Sequence, residues 1–310
     1  MTSLTRKLTA ALAASTMLFS APAFAEDAAA SATANTEVAA TTAAPTGPAL
    51  WKVADEDTTV YLFGTVHALP EGIEWLDGPI ADAFAASDTI VTEIKMDDSM
   101  AADMQALVMA KGMLPADTTL RSLLDEEQLA TFDGAMTKLG LPVEAFDRFE
   151  PWYAGMMLTM LPLMQQGYAP DSGVEMVLLR QAGERQKGAL ETIDFQIGVF
   201  DGLPQESQVK FLVDAAANTD EVKNQLDAML AEWIEGDADQ LAELLNEGME
   251  DKALAEALLY NRNANWAEWI DDRMDDPGTV FIAVGAGHLA GTKSVQDLLA
   301  GRGIEVVRVR

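Results

Sequence analysis

The chain has 310 residues, 50 acidic against 20 basic for a formal charge of −30, and no cysteine. A surface that acidic repels phosphate backbones and anionic lipid, which excludes a nucleic-acid binder. Without cysteine there is no disulfide, no thiol nucleophile and no lipid-modified cysteine.

Residues 1–25, MTSLTRKLTAALAASTMLFSAPAFA, carry Arg6 and Lys7, an apolar stretch from Leu8 to Phe19, and then Ala23-Phe24-Ala25. Basic, apolar, then A-x-A is the pattern of a Sec-type signal peptide, and the apolar run is well short of a membrane span. The protein is therefore expected to be exported, to the periplasm or the medium. No later stretch has the length of a span, so no stable membrane insertion is expected. Residues 26–49 are rich in Ala and Thr and read as a flexible linker. Residues 50–310 are expected to form the folded domain, long enough to bury a real core.

Short apolar, β-rich runs at 58–63, 89–92, 188–190, 279–284 and 304–309 are separated by helical patterns. That alternation predicts an α/β (α+β) fold with a small mixed, largely parallel sheet. The first two runs flank PIADAFAAS, where Pro79 opens a helix and Ile80 and Phe84 share a face, giving a βαβ unit. A helix over 294–300 between the last two runs repeats the theme. The middle reads as a large helical insertion or cap, with helices at 101–113, 125–139, 151–166, 173–185, 207–217, 220–235, 237–246 and 251–275. Met96, Met100, Met104, Met109 and Met113, with Met156, Met157, Met160 and Met164, fit helical core, a groove being the lesser reading.

The only two histidines stand in matching phrases. FGTVH ends at His67, and VGAGH ends at His288. Each follows an apolar strand, with Gly64 and Gly285 three residues ahead. With glycine at about 7% of positions, the coincidence has odds of about one in 200. In an open parallel sheet, ligands sit beyond the carboxyl ends of strands, and glycine there permits a sharp turn or close backbone approach. Both imidazoles should meet at that edge. Glu93 directly follows the apolar TIVT, where burying an acid is costly unless it is used or paired. Glu191, in GALET, is a weaker instance. Two histidines and a carboxylate form a common catalytic metal set with open positions for water and substrate. In YNRNANWAEWID, Arg262 and Trp266 share a helix face and Asn263 adjoins it; the guanidinium either serves a site or stacks on the tryptophan at the surface. No P-loop, dinucleotide fingerprint or Ser-His-Asp arrangement competes.

The chain resembles the TraB/GumN family, related to the Tiki metalloproteases and, more distantly, to erythromycin esterases and haem-binding ChaN-like proteins. The resemblance rests on FGTVH, VTE with Glu93, NRNANW and FIAVGAGHLAG, and more loosely on DSGVEMVLLRQA and LET. It implies two GxxH-bearing halves around a mixed sheet. It implies that His67, Glu93 and His288 line the site, with Arg262 and Asn263 nearby. Tiki proteins imply a divalent metal, manganese or cobalt, and zinc suits the same donors. The expected function is a metal-dependent hydrolase, a peptidase first of all. His67 and His288 would bind the metal, Glu93 would be ligand or general base, and Arg262 and Asn263 would hold substrate or oxyanion. The alternative is a non-catalytic binding protein for haem, peptide or another apolar ligand. The partner is a peptide or small molecule; the sequence carries no signal of oligomeric state.

Overall fold

A computed structural model describes residues 47–97, 99–247 and 252–310. Residues 1–25, read as a signal peptide, and all but the last three of residues 26–49, read as a linker, lie outside them. Among the described residues no helix is long and apolar enough to cross a membrane.

The strands are β1 (Leu50–Ala54), β2 (Thr58–Thr65), β3 (Leu69–Pro70), β4 (Thr89–Ile94), β5 (Tyr168–Ala169), β6 (Gln186–Glu191), β7 (Gly278–Gly285) and β8 (Val307–Arg308). Six form one sheet in the order β6-β4-β7-β2-β1-β8, and β3 pairs with β5 apart from it. The four strands β6, β4, β7 and β2 are mutually parallel, and β1 runs against both its neighbours. The fold is thus mixed α/β with a mostly parallel sheet, as the strand–helix alternation predicts.

The apolar runs of β2, β4 and β7 are buried on both faces, as central parallel strands must be. Alternate residues serve different layers. Phe63, Ile90, Phe281 and Ala283 pack on one side with Ile80 and Phe84 of helix α1 (Gly78–Ala86). Val60, Leu62, Val91, Val280, Ile282 and Val284 pack on the other.

The helical cap comprises α2 (Met100–Lys111), α3 (Glu126–Lys138), α4 (Pro151–Gln165), α5 (Val174–Gln181), α6 (Ile193–Asp201), α7 (Gln205–Ala217), α8 (Val222–Glu235) and α9 (Ala238–Glu247). It has its own apolar centres, around Trp152, Met156 and Phe211, and around Phe132, Leu158 and Leu212. Met104 and Met156 are core residues, while Met109 is exposed. The helix expected at 251–275 is three pieces: α10 (Lys252–Ala255), a π-helical turn (Glu256–Tyr260) and α11 (Asn261–Arg273). The last helix is α12 (Val295–Gly301). α11 and α12 cover the second face of the sheet with Trp266, Ile270, Val295 and Leu299.

Other elements also depart from the sequence reading. β1 is unanticipated; it forms a hairpin with β2 across a turn in which the Asp55 side chain accepts from the backbone of Asp57 and Thr58. α6 is also unanticipated, started by Thr192 accepting from Phe195 N–H, a normal N-cap. The strand expected at 304–309 shrinks to Val307–Arg308, and it joins the far edge of the sheet through β1 instead of neighbouring β7.

Candidate active site

Because β2, β4, β6 and β7 are parallel, their carboxyl ends share one edge of the sheet. Glu93 lies on β4 and Glu191 ends β6. His67 follows β2 by two residues, and His288 sits in a 3-10 turn, Ala286–Leu289, directly after β7. Glu93 is two residues beyond Val91, so it faces the layer that contains α11.

α11 supplies Arg262, which is almost fully buried and pairs with both carboxylates. It pairs with Glu93 through Nη2 and with Glu191 through Nε and Nη2, at 2.9 Å to the nearest oxygens. Nη1 donates to the Leu258 carbonyl at 3.0 Å. The guanidinium does stack on Trp266, 4.9 Å from the ring centroid, but inside the protein and not at its surface. Trp266 Nε1 donates to Glu191 Oε1 at 2.9 Å. Gln196 of α6 bridges the two acids, its Nε2 lying 3.0 Å from Glu93 Oε2 and 3.0 Å from Glu191 Oε2. Gly285 N–H donates to Glu93 Oε1 at 2.7 Å. Burial alone would push the Glu93 carboxyl up. The Arg262 charge outweighs it, with His67 and the Gly285 N–H, and holds the group at about 2.

His288 is fully buried, its ring 4.2 Å from that of Trp266 between centroids. Its Nδ1 is 2.5 Å from Asn263 Oδ1, and Asn263 Nδ2 donates to the Lys293 carbonyl at 2.9 Å. That second bond orients the amide, so Nδ1 carries the proton and Nε2 keeps its lone pair. Arg262 Nη1 donates to Nε2 at 3.2 Å. Burial, then the Arg262 charge, push the imidazole pKa well below the usual value, so the ring is neutral.

His67 is the most accessible member, with its side chain 12% exposed. Nδ1 lies 2.5 Å from Glu175 Oε1, the same oxygen that accepts from Thr65 Oγ1. Nε2 is buried and has no hydrogen-bond partner among the described residues. Burial lowers the pKa, but the charge and hydrogen bond of Glu175, with the charge of Glu93, raise it further, to about 9.

The two glycines act differently. A Cβ on Gly64 would stand 3.1 Å from Ala286 Cα and 3.2 Å from its Cβ, so Gly64 lets the turn after β7 lie against β2. Gly285 has an ordinary φ of −48°, and what it contributes is its N–H to Glu93. All the anticipated residues meet at this edge: His67, Glu93, Glu191, Arg262, Asn263 and His288. Arg262 and Asn263, expected at substrate, spend their polar atoms on Glu93, Glu191, His288 and backbone carbonyls. Glu175, Gln196 and Thr65 are unanticipated. The signal for Glu175 was an acid between Val174 and Leu178, both wholly buried.

The donor types fit a divalent cation. In metal sites a ligating histidine gives its other N–H to an oxygen, which fixes the tautomer. Here Glu175 and Asn263 hold Nδ1 of the two rings, Nε2 of His67 is orphaned, and Glu93 is ionised. The donors are not drawn around one point. His288 Nε2 and Glu93 Oε1 are 4.0 Å apart, and no three His, Asp or Glu side chains among the described residues converge tightly enough to hold an ion. Closing on an ion requires Arg262 to release His288 Nε2. Haem held by these two imidazoles would need the same release of His288 Nε2.

The sequence profile of the TraB/PrgY/gumN family matches residues 49–308. An "uncharacterized protein" of Treponema pallidum (strain Nichols) is 24% identical over 271 residues, covering 81% of this chain and 80% of the relative. The "uncharacterized protein YbaP" of Escherichia coli (strain K12) is 23% identical over 241 residues, covering 77% of this chain and 87% of the relative. No solved structure matches at the same stringency.

Proposed function

The chain belongs to the TraB/PrgY/gumN family, and from that premise we propose that it is an exported, metal-dependent hydrolase acting first of all on peptide bonds. The observation that carries this reading is the pair of imidazoles at one sheet edge, each held at Nδ1 by an oxygen, with the buried Nε2 of His67 left over. His67 Nε2, His288 Nε2 and a Glu93 oxygen would hold the cation; bound there, it would lower the pKa of a water and polarise the scissile carbonyl.

The remaining groups prepare that site. Glu175 and Asn263 keep both rings in one tautomer. Arg262 keeps Glu93 ionised while it is buried. Gln196 and Trp266 satisfy the remaining carboxylate oxygens and exclude water, which strengthens every charge interaction inside. His67 is the exposed member, so substrate approaches from its side. Manganese, cobalt and zinc all suit two imidazoles and a carboxylate.

The test is metal content and turnover of the exported chain prepared without a histidine tag. After dialysis against trace Mn²⁺, Co²⁺ and Zn²⁺, elemental analysis is expected to find near-stoichiometric metal, absent from the His67→Gln/His288→Gln variant. Cleavage of a peptide library should disappear with chelator and with either single variant. Unchanged cleavage in either variant would overturn the reading. A ligand retained without product would instead make the protein a binder.

A further inference from the structure

We propose that Glu175 is the positioning carboxylate of this site: it locks the His67 imidazole through Nδ1, leaving Nε2 for the metal, and Thr65 in turn locks Glu175. This rests on the metal-dependent reading above and adds to it Glu175, from outside the GxxH, Glu93 and Arg-Asn-x-x-Trp phrases, and Thr65, an inner position of the first GxxH.

Glu175 is only 3% exposed, and its hydrogen-bond partners among the described residues are the Thr65 hydroxyl and His67 Nδ1, both through Oε1. Among the described residues neither an arginine nor a lysine pairs with it, so a carboxyl group is buried there against an imidazole and a hydroxyl alone. That is an expensive arrangement unless the imidazole is its purpose. An acid in the first turn of a helix is favoured by the helix dipole, but that preference is satisfied at the surface and does not require burial or a histidine.

The backbone is built to bring the two together. Val174 N–H donates to the Val66 carbonyl at 3.1 Å, tying the start of α5 to the loop that carries His67. A Cβ on Gly173 would fall 2.1 Å from the His67 carbonyl oxygen, so only glycine lets α5 begin that close. Glu175 then reaches Nδ1 across a sequence separation of 108 residues. His288 has the same device in another form, with Asn263 at its Nδ1. Carboxylate partners of this type change metal affinity by about 10–100-fold when removed.

The experiment titrates Co²⁺ and Mn²⁺ into the full exported chain and its Glu175→Ala, Glu175→Gln and Thr65→Val variants, with thermal melts alongside. Glu175→Ala should bind about 10–100-fold more weakly. Glu175→Gln keeps an acceptor oxygen and should lose less, and Thr65→Val less again. Because the chain has only two histidines, ¹⁵N spectra of the imidazoles taken above pH 9, where His67 is neutral, report the tautomer without metal. The His67 Nδ1–H resonance should move in Glu175→Ala while that of His288 stays. If Glu175→Ala does not fold, Glu175→Gln and Thr65→Val carry both readouts. Wild-type affinity and an unmoved His67 signal in the folded Glu175 variants would overturn the inference and leave the metal reading standing. No metal uptake by the wild type would overturn both.

Discussion

Arg262→Met tests the electrostatics of the site most directly. The substitution keeps much of the side-chain bulk and removes the guanidinium that pairs with both Glu93 and Glu191. The side chains involved are 2%, 1% and 5% exposed, so water cannot take the place of the guanidinium. Glu93 is held at about 2 against an ordinary 4.5, which corresponds to about 3 kcal/mol of stability at neutral pH. Removing one partner of a buried ion pair costs about 3–5 kcal/mol by the same logic. Urea unfolding at pH 7 should therefore find Arg262→Met less stable by about 3–5 kcal/mol. The sign with pH follows from the depressed carboxyl. In the wild type this contribution is fully present above 4.5 and lost as the pH falls towards 2. In the variant, Glu93 is buried beside Glu191 without its cation, so its pKa rises from about 2 and protonation relieves it. The deficit must be largest at pH 7 and narrow below pH 5. A loss under about 1 kcal/mol, within the range of an ordinary surface pair, or a deficit that does not change with pH, would refute the reasoning.

In the metal-free protein, the His67–Glu175 pair should add about 3 kcal/mol that is fully present below pH 6.5 and lost as the pH rises through 9, since the folded pKa is raised; unfolding midpoints at pH 6 and pH 10 check it. Metal uptake should show the opposite trend and tighten with pH, because the ion must displace the proton on His67; calorimetric titration in two buffers measures the protons released. Gly173→Ala should cost about 3 kcal/mol, the upper end for overpacking, because the atom it meets is a backbone carbonyl; a melting-temperature shift within error would show that α5 can back away. Asn263→Ala leaves His288 Nδ1 buried without its acceptor, and denaturant titration should find a loss of about 1–3 kcal/mol.

The site was legible where a residue type was expensive or rare. Two histidines at equal distance behind glycines, and an acid at the end of an apolar strand, are improbable unless they meet, and they do. The same reasoning reached Glu191, which ends β6 in the same ladder as Glu93. Arg262 and Trp266 were readable as one helix face, but spacing alone does not say whether that face looks at water or at strand ends. Their partners decided it, and partners are tertiary facts. Glu175 was hidden for a related reason: an acid in the first turn of a helix is normally a surface residue, and its burial depends on Gly173 closing on a loop more than 100 residues away. β1 was missed because Lys52 and Ala54 dilute a five-residue strand whose support is its hairpin with β2. The strand expected at 304–309 was read too long at its start because alternation was read as pairing; Val307 and Arg308 form the ladder with β1, and Val309 and Arg310 bond to Leu50, while residues 304–306 do not pair in the sheet.

The π-helical turn between α10 and α11 makes this segment sensitive to length. An α-helix advances about 100° per residue, and a π turn absorbs one surplus residue without rotating what lies on either side. Leu258 and Leu259 face the cap through this turn, while Arg262, Asn263 and Trp266 face the sheet edge. Deleting Ala257 would let the segment relax into unbroken α-helix with the two halves still in phase, so the leucines would keep the cap and the guanidinium its carboxylates. Inserting a second surplus residue, with no further bulge to absorb it, would put the halves about 100° out of phase. Either the leucines would then leave the cap or the guanidinium would swing away from both carboxylates. This stretch therefore tolerates a one-residue change in one direction only.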